Sequence, residues 1–442
     1  MRVVHYVRLV FTFHALRFPL PPLALSVYNR VTMRIRYLSL TNFRNYARLE
    51  LTLPERPLLL YGANAQGKTS LLEAIYLLAT GSSPLTSLDR QLIKWEAEVE
   101  GLPYARVWAE VVRRDRVQEV EIVLQKKPLA NGTVRLQKTI RVDRARKRRA
   151  DLAGRLNVVL FMPQDVELVA GPPAARRRYL DDTLCQVDGA YCAALERYSE
   201  ALRQRNAALR HLRDERGDPA QLIPFEEVLA REGVVVANGR RELVAALSQH
   251  AGCIHQQLTG GAEWLRLEYH PNFDPAAPPA LKYQMGLGLQ PYQGPPLGVG
   301  AEELVVAFRQ ALLARRADEI ARGTTLTGPH RDEMRFVAGS PAQGTHEVDL
   351  GTYGSRGQQR TAVLALKLAE LTFLRERTGE APVLLLDEVL AELDVARRRY
   401  FLGQVDSVEQ ALLTATDSGM FDAEFRERAV LWEVQGGIVR GE

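Results

Sequence analysis

The sequence has few cysteines and no long apolar run, and each absence excludes a class of protein. Its 442 residues include three cysteines, Cys185, Cys192 and Cys253, an odd number without the spacing of a metal site. This argues against a disulfide-stapled secreted domain and favours reduced thiols in a cytoplasmic protein. No stretch beyond residue 32 approaches the ~18 unbroken apolar residues of a membrane span.

The sequence also lacks a strong charge bias, an internal repeat and sustained heptads. A net charge of +5 favours anionic partners only mildly. The absence of sustained heptads argues against a long coiled-coil arm. With 46% hydrophobic and 25% charged residues, the composition is that of a soluble globular protein. The length favours two lobes.

The chain does contain a phosphate-loop motif. Residues 62–70 match the pattern Gly-x-x-x-x-Gly-Lys-Ser/Thr, with an apolar strand pattern before them and a helix pattern after them. We predict that backbone N–H groups of the loop surround phosphate oxygens at the start of the helix. Lys68 would reach the β- and γ-phosphates, and Thr69 would ligate Mg²⁺. The predicted nucleotide-binding residues are Gly62, Ala63, Asn64, Ala65, Gln66, Gly67, Lys68, Thr69 and Ser70.

An apolar strand near the C-terminus ends in two carboxylates, Asp387 and Glu388. An aspartate at the end of a strand can hold Mg²⁺. The glutamate that follows it points elsewhere and can orient and deprotonate the attacking water. An acidic surface turn is the alternative for this pair alone, but a Gly-Lys-Thr loop in the same chain disfavours it.

A third motif, residues 355–360, reads Ser-Arg-Gly-Gln-Gln-Arg at the start of a predicted helix. A small residue followed by glycine at a helix start can form an anion-binding nest. In one class of ATPase, the serine at this position contacts the γ-phosphate bound to the opposite subunit. Taken alone, the segment is also compatible with an ordinary helix cap.

Together these motifs resemble the ABC-type ATPase head of structural-maintenance and DNA-repair proteins. They most closely resemble the RecF family of bacterial recombination mediators. The resemblance extends from Met33 to the C-terminal region. It rests on motifs that occur in the same order as in the family, at residues 40–46, 62–70, 163–165, 168–173, 177–181, 204–209, 327–332, 355–360 and 386–394.

The resemblance implies an α/β fold, a P-loop NTPase of the ABC type with a mixed sheet, an antiparallel β part and an inserted helical lobe. The implied ATPase lobe is discontinuous and comprises residues 33–165 and 323–442. The mainly helical insert comprises residues 166–322. Residues 1–32 are predicted to be an N-terminal extension outside the fold, with Met33 as the true start.

The resemblance also implies roles for single residues. Gln164 would couple the nucleotide state to the helical lobe. The implied catalytic residues are Lys68, Glu388 and Gln164. The implied Mg²⁺ ligands are Thr69, Asp387 and Gln164. Asp394 would lie at the seam of a dimer. The residues that would contact nucleotide across that dimer are Ser355, Gly357 and Gln358. Residues 414–417 contain no switch histidine, which predicts slow hydrolysis.

Members of this family dimerise with ATP, bind double-stranded DNA beside single-stranded gaps, and act with RecR and RecO to load RecA. The resemblance therefore implies a cytoplasmic, weakly DNA-stimulated ATPase without a membrane partner, acting as an ATP-gated clamp. The basic segments 144–149 and 176–178 are candidates for the DNA face. For these segments, a solvated hairpin tip and a cap on the helical lobe stay open as alternatives.

The sequence disfavours three other functions. A transport ATPase subunit would lack the helical insert. A chromosome-organising protein would need a longer insert with heptads. A fused nuclease would need an acidic cluster beyond Asp394, which the sequence does not contain.

Overall fold

The computed structural model of the chain describes residues 33–99, 101, 103–114, 116–128, 134–215, 217–273, 300–340, 346–392 and 394–441. The predicted N-terminal extension, residues 1–32, lies outside the described residues. Within the described part of the chain, no helix is long and apolar enough to cross a membrane.

Strands dominate both ends of the described chain, and long helices lie between them. The strands are β1 (Met33–Phe43), β2 (Tyr46–Thr52), β3 (Leu58–Tyr61), β4 (Tyr104–Arg113), β5 (Arg116–Pro128), β6 (Val134–Val142), β7 (Ala145–Lys147), β8 (Val158–Phe161), β9 (Trp264–His270), β10 (Glu333–Gly339), β11 (Glu347–Asp349), β12 (Val383–Asp387), β13 (Ala411–Ala415), β14 (Val430–Gln435) and β15 (Ile438–Gly441). The helices are α1 (Lys68–Thr80), α2 (Trp95–Val99), α3 (Glu167–Ala170), α4 (Pro173–Cys185), α5 (Gly189–Glu215), α6 (Ile223–Leu258), α7 (Ala301–Arg322), α8 (Leu350–Tyr353), α9 (Arg356–Thr378), α10 (Val395–Val405) and α11 (Ala423–Arg428).

An antiparallel sheet forms one layer of the fold, with strand order β2-β1-β4-β5-β6-β7. Alternation along β4 shows why it has one buried face. Ala105, Val107, Ala109 and Val111 are at most 1% exposed, and the residues between them are partly exposed. The buried face packs in one core with apolar residues of α1 and of a second sheet.

The second sheet is mostly parallel, with strand order β15-β14-β3-β13-β12-β8. Strands β8, β12, β13, β3 and β14 run parallel to their neighbours, and β15 pairs with β14 antiparallel. Every residue of β12 and β13 is buried, as expected for parallel strands covered on both faces. The carboxyl ends of the parallel strands therefore meet at one edge, where α/β proteins place their ligands.

Helices α5, α6 and α7 pack on one another around buried apolar side chains such as Tyr198, Leu229 and Phe308. Helix α6 also packs on α9 and on β9. The three-stranded sheet, in order β11-β10-β9, joins β9 to strands that follow residue 323. This sheet spans the predicted boundary between the two lobes, and the boundaries themselves stay a prediction.

A buried ion network ties α5, α6 and α7 together. The Arg205 side chain is fully buried between Glu226 at 3.0 Å and Glu319 at 2.7 Å. Arg205 also donates a 2.9 Å hydrogen bond to the Thr325 hydroxyl. Opposite charges compensate one another here, so removal of a single member leaves a buried charge without its partner.

We expect Arg205→Ala to lower the free energy of unfolding by about 3–5 kcal/mol, because buried carboxylates lose their counter-charge. Urea denaturation followed by circular dichroism would measure the loss. Arg203→Ala is the matched control, because Arg203 lies two residues earlier on α5 and its side chain, paired with Glu200, is 70% exposed. Equal urea midpoints for both variants would contradict the prediction.

Candidate nucleotide-binding site

Three predicted site segments follow strands that belong to the parallel sheet. The phosphate loop follows β3, Glu388 follows β12, and Gln164 follows β8. Residues 414–417 include the end of β13, which lies between β3 and β12. The parallel sheet thus collects at one edge residues as far apart in the chain as Gly62 and Glu388.

The phosphate loop has a backbone that only glycine fits at two positions. Gly62 has φ of 147° and Gly67 has φ of 114°. A Cβ atom on Gly62 would lie 2.4 Å from the Val434 carbonyl oxygen, and one on Gly67 would lie 2.5 Å from the Asn45 amide nitrogen. The loop is therefore held in contact with its neighbours, and a side chain at either position would push it out of place.

Two separate elements hold the outside of this loop. Gln66 accepts a 2.6 Å hydrogen bond from the Gly436 N–H at its side-chain oxygen, and a 3.1 Å bond from the Gly437 N–H at its carbonyl oxygen. The Asn45 side chain also donates to the Gln66 carbonyl oxygen, at 2.9 Å. The turn between β14 and β15 and the turn between β1 and β2 thus fix the loop from two sides.

Lys68 lies at the centre of the site and is only 3% exposed. Its ammonium group donates to the carbonyl oxygens of Gly62 at 2.6 Å and Ala63 at 3.0 Å. It also lies 3.2 Å from a carboxylate oxygen of Glu388. One buried positive charge is therefore shared between the loop and the acid that follows β12.

Asp387 is the second centre of the site. The Thr69 hydroxyl lies 2.9 Å from both carboxylate oxygens of Asp387, and the Thr414 hydroxyl donates to one of them at 2.8 Å. Burial raises the pKa of Asp387, and the hydrogen bonds from Thr414 and Thr69 act in the opposite direction. A hydroxyl oxygen next to a carboxylate is the donor set that suits Mg²⁺, a hard cation.

An open cavity of about 850 Å³ adjoins the loop. Of the predicted site residues, it is lined by Asn64, Ala65, Gly67, Lys68, Thr69, Ser70 and Glu388. The rest of the lining was not predicted and includes Arg90, Trp95 and Lys126. These three come from separate segments without a local motif, so no signal in the sequence identified them.

Arg44 also lines the cavity and lies within a motif that carried the resemblance, although no role was predicted for it. Its guanidinium donates two 2.7 Å hydrogen bonds to the buried carboxylate of Glu73 in α1. The ion pair clamps the β1–β2 turn against α1. The buried Glu73 carboxylate therefore holds Arg44, and with it this part of the cavity wall, in place.

The other predicted site residues do not line this cavity. Gln164 is exposed, with its amide 3.2 Å from the Met162 sulfur. Ser355 caps α9 by accepting a 3.2 Å hydrogen bond from the Gln358 N–H, and Asp394 caps α10. A Cβ on Gly357 would meet nothing closer than the Ser355 hydroxyl at 3.9 Å. The roles of these residues stay predictions.

The two basic segments divide into exposed and buried residues. Arg146, Lys147 and Arg148 are exposed. Arg149, in contrast, pairs with Asp182 at 2.7 Å, and Arg176 is 8% exposed and pairs with Glu333 at 2.6 Å. Arg149 and Arg176 therefore form structural ion pairs, and their part in DNA binding stays a prediction.

Comparisons with known proteins decide the family. The RecF/RecN/SMC N terminal domain model matches residues 34–437. The DNA replication and repair protein RecF of Chloroflexus aurantiacus is 44% identical over 421 residues, which cover 92% of this chain and 99% of that protein. The chain belongs to the RecF family.

Further RecF proteins agree with this assignment. RecF of Roseiflexus castenholzii is 41% identical over 419 residues, again covering 92% of this chain and 99% of that protein. The solved structure of the recombination mediator protein RecF with ATP, in the RecFOR pathway, has a TM-score of 0.77 and 28% identity. The match covers 94% of this chain and all of that chain.

As a RecF-family chain, the protein has the predicted fold. The α/β head of the ABC ATPase type is confirmed, with antiparallel and parallel sheets and helices in a second lobe. The resemblance drawn from the motifs is confirmed as well.

Proposed function

We propose that this protein is an ATP-dependent DNA-binding protein of recombinational repair, which closes as a homodimer around double-stranded DNA beside single-stranded gaps. The observation that carries the proposal is the convergence of Lys68, Thr69, Asp387 and Glu388 at one edge of the parallel sheet. Each of these groups is suited to one part of an ATP–Mg²⁺ complex.

The proposed binding and hydrolysis of ATP follow from the positions of these residues. Backbone N–H groups of the loop bind the phosphates. The ammonium group of Lys68 exchanges its hydrogen bonds with the loop carbonyls for hydrogen bonds with the β- and γ-phosphates. Thr69 and Asp387 would hold Mg²⁺, which would neutralise phosphate charge, and Gln164 is proposed to join them. Glu388 accepts the proton of the attacking water.

The second half of the proposed ATP site comes from another copy of the chain. Ser355 and Gly357 lie at the N-terminus of α9, a helix of 23 residues whose first N–H groups favour an anion. Asp394 lies at the start of α10 and is exposed. We infer that Ser355 and Gly357 contact the γ-phosphate bound to the partner copy, and that Asp394 lies at the seam between the copies, so that ATP joins two chains.

We expect Ser355→Ala to bind ATP with unchanged affinity and to stay monomeric with ATP and Mg²⁺, because the contact across the dimer is lost. Light scattering would measure the mass. Ser355→Asp separates this effect from helix capping, since aspartate retains the cap while its charge opposes the γ-phosphate. Asp422→Ala is the matched control, because it removes the side-chain cap of α11. ATP-dependent dimers of Ser355→Ala would contradict the assignment.

The proposed DNA binding and the proposed protein partners are inferred from membership of the RecF family. Its members work with RecR and RecO to load RecA, and we propose the same for this chain, with slow hydrolysis stimulated weakly by DNA. The exposed residues Arg146, Lys147 and Arg148 supply positive charge suited to a phosphate backbone. Replacement of all three by serine should weaken DNA binding without changing ATP affinity.

The proposed function is tested by the mass of the wild-type protein with and without ATP and Mg²⁺, followed by fluorescence anisotropy of gapped duplex DNA. A doubling of mass with ATP, accompanied by tighter binding of the gapped duplex, is expected. A mass and a DNA affinity that are both unchanged by ATP would reject the clamp.

A further inference from the structure

Strand β13 contains one polar residue, Thr414, among Ala411, Leu412, Leu413 and Ala415. Its side chain is 4% exposed, and the strand lies between β3 and β12 in the sheet. A hydroxyl in such a position lowers stability unless it is hydrogen-bonded. Its partners therefore indicate why threonine stands there.

The Thr414 hydroxyl contacts both acidic residues of the proposed site. It donates to an Asp387 carboxylate oxygen at 2.8 Å and accepts from the Glu388 backbone N–H at 3.0 Å. Asp387 and Thr414 are register partners in the parallel β12–β13 pair. The contact is therefore fixed by strand register and does not depend on a flexible side chain.

Glu388 has φ of 53°, which is unfavourable for a residue with a side chain. Such a conformation persists only where its surroundings hold it. The hydrogen bond from the Glu388 N–H to Thr414 is one such constraint, and the pair with Lys68 at 3.2 Å is another. The left-handed turn directs the Glu388 side chain toward the phosphate loop, away from the course of β12.

We propose that Thr414 is a positioning residue, whose hydroxyl orients the Asp387 carboxylate and holds the Glu388 backbone in its left-handed turn. This inference rests on the proposed function, in which Asp387 serves Mg²⁺ and Glu388 serves the attacking water. A hydroxyl can do both at once because it donates one hydrogen bond and accepts others. A change at Thr414 would therefore alter the metal-dependent part of nucleotide binding and the rate of hydrolysis together.

The test compares Thr414→Val, which replaces the hydroxyl with a methyl group of similar size, with Thr414→Ser, which retains the hydroxyl. ATP affinity is measured by calorimetry in EDTA and in Mg²⁺, and kcat and KM are measured by phosphate release. In Thr414→Val, we expect the gain in affinity on adding Mg²⁺ to fall about tenfold and kcat to fall about 10–100-fold, as for other groups that support a metal ligand. Affinity in EDTA should stay within about twofold of wild type, because the phosphate loop does not contact the hydroxyl.

Thr414→Ser should retain the Mg²⁺ effect and most of kcat. Thr372→Val is the matched control, because its hydroxyl bonds to the Leu368 carbonyl oxygen of its own helix. If Thr414→Val is poorly folded by thermal melting, Thr414→Ala replaces it in the comparison, since alanine and serine differ only by the hydroxyl.

The proposal is overturned if Thr414→Val has a normal Mg²⁺ effect and kcat, or if Thr414→Ser is as impaired as Thr414→Val. Unfolding of both hydroxyl-free variants would also overturn it, because the hydroxyl would then determine folding and not site geometry. These outcomes are distinct from failure of the proposed function. Wild-type protein that does not bind ATP would reject that function whatever Thr414 does.

Discussion

Replacing Lys68 with alanine is expected to raise the Kd for ATP by at least about 100-fold, the effect of losing charge-assisted hydrogen bonds at a buried site. The Lys68 side chain is 3% exposed, and its ammonium group contacts the loop and Glu388. A charge in such surroundings interacts strongly with phosphate, because little water screens it. Calorimetry with ATP and Mg²⁺ would measure the loss.

Two controls sharpen this experiment. Lys138 pairs with Asp89 at 3.0 Å and does not line the cavity. Lys138→Ala should therefore leave ATP affinity unchanged. Lys68→Arg preserves the charge but replaces a compact ammonium with a broader planar group, so it should not restore binding. A Kd for Lys68→Ala within about threefold of wild type would contradict the role of Lys68, since a buried phosphate contact contributes far more than that.

Replacing Glu388 with glutamine should leave ATP binding intact and lower the hydrolysis rate by about 10²–10⁴-fold, the contribution usual for a general base. Glutamine has nearly the same shape and can adopt the same turn, but it cannot take up a proton. In the proposed function, hydrolysis opens the ATP-bound dimer, so we expect the dimer of this variant to persist. Phosphate release and light scattering over time would measure both effects.

Glu376→Gln is the control for this variant. Glu376 lies on α9, pairs with His250 at 3.1 Å, and does not line the cavity. It should hydrolyse ATP as the wild type does. A Glu388→Gln protein with normal turnover would contradict the role of Glu388, and one that binds no ATP would show that the Lys68–Glu388 pair maintains the loop.

The parts of the site that could be predicted are those encoded by neighbouring residues. The phosphate loop and the acidic strand are continuous motifs, and the structure places Thr69 and Asp387 in contact although 318 positions separate them. Both motifs lie at the carboxyl ends of parallel strands, and such ends meet at one edge of a sheet.

The remaining parts depend on which distant segments become neighbours. Thr414 has no motif of its own, and its partners are set by the register of β12 and β13. Trp95 and Lys126 reach the cavity from separate segments. The ion pairs of Arg149 and Arg176 could not be predicted, because a run of basic residues does not indicate where its counter-charges lie. Asp182 and Glu333 neutralise them from elsewhere in the chain.

The strand order has a consequence for synthesis of the protein on the ribosome. Strand β3, which leads into the phosphate loop, pairs with β13 and β14, and both begin at least 349 residues after Gly62. The glycines that hold Gln66 follow later still, at positions 436 and 437. An unfinished chain therefore carries the whole phosphate-loop motif without the neighbours that shape it. The proposed nucleotide binding, and with it any pairing of chains through ATP, therefore waits until Gly436 and Gly437 have been synthesised.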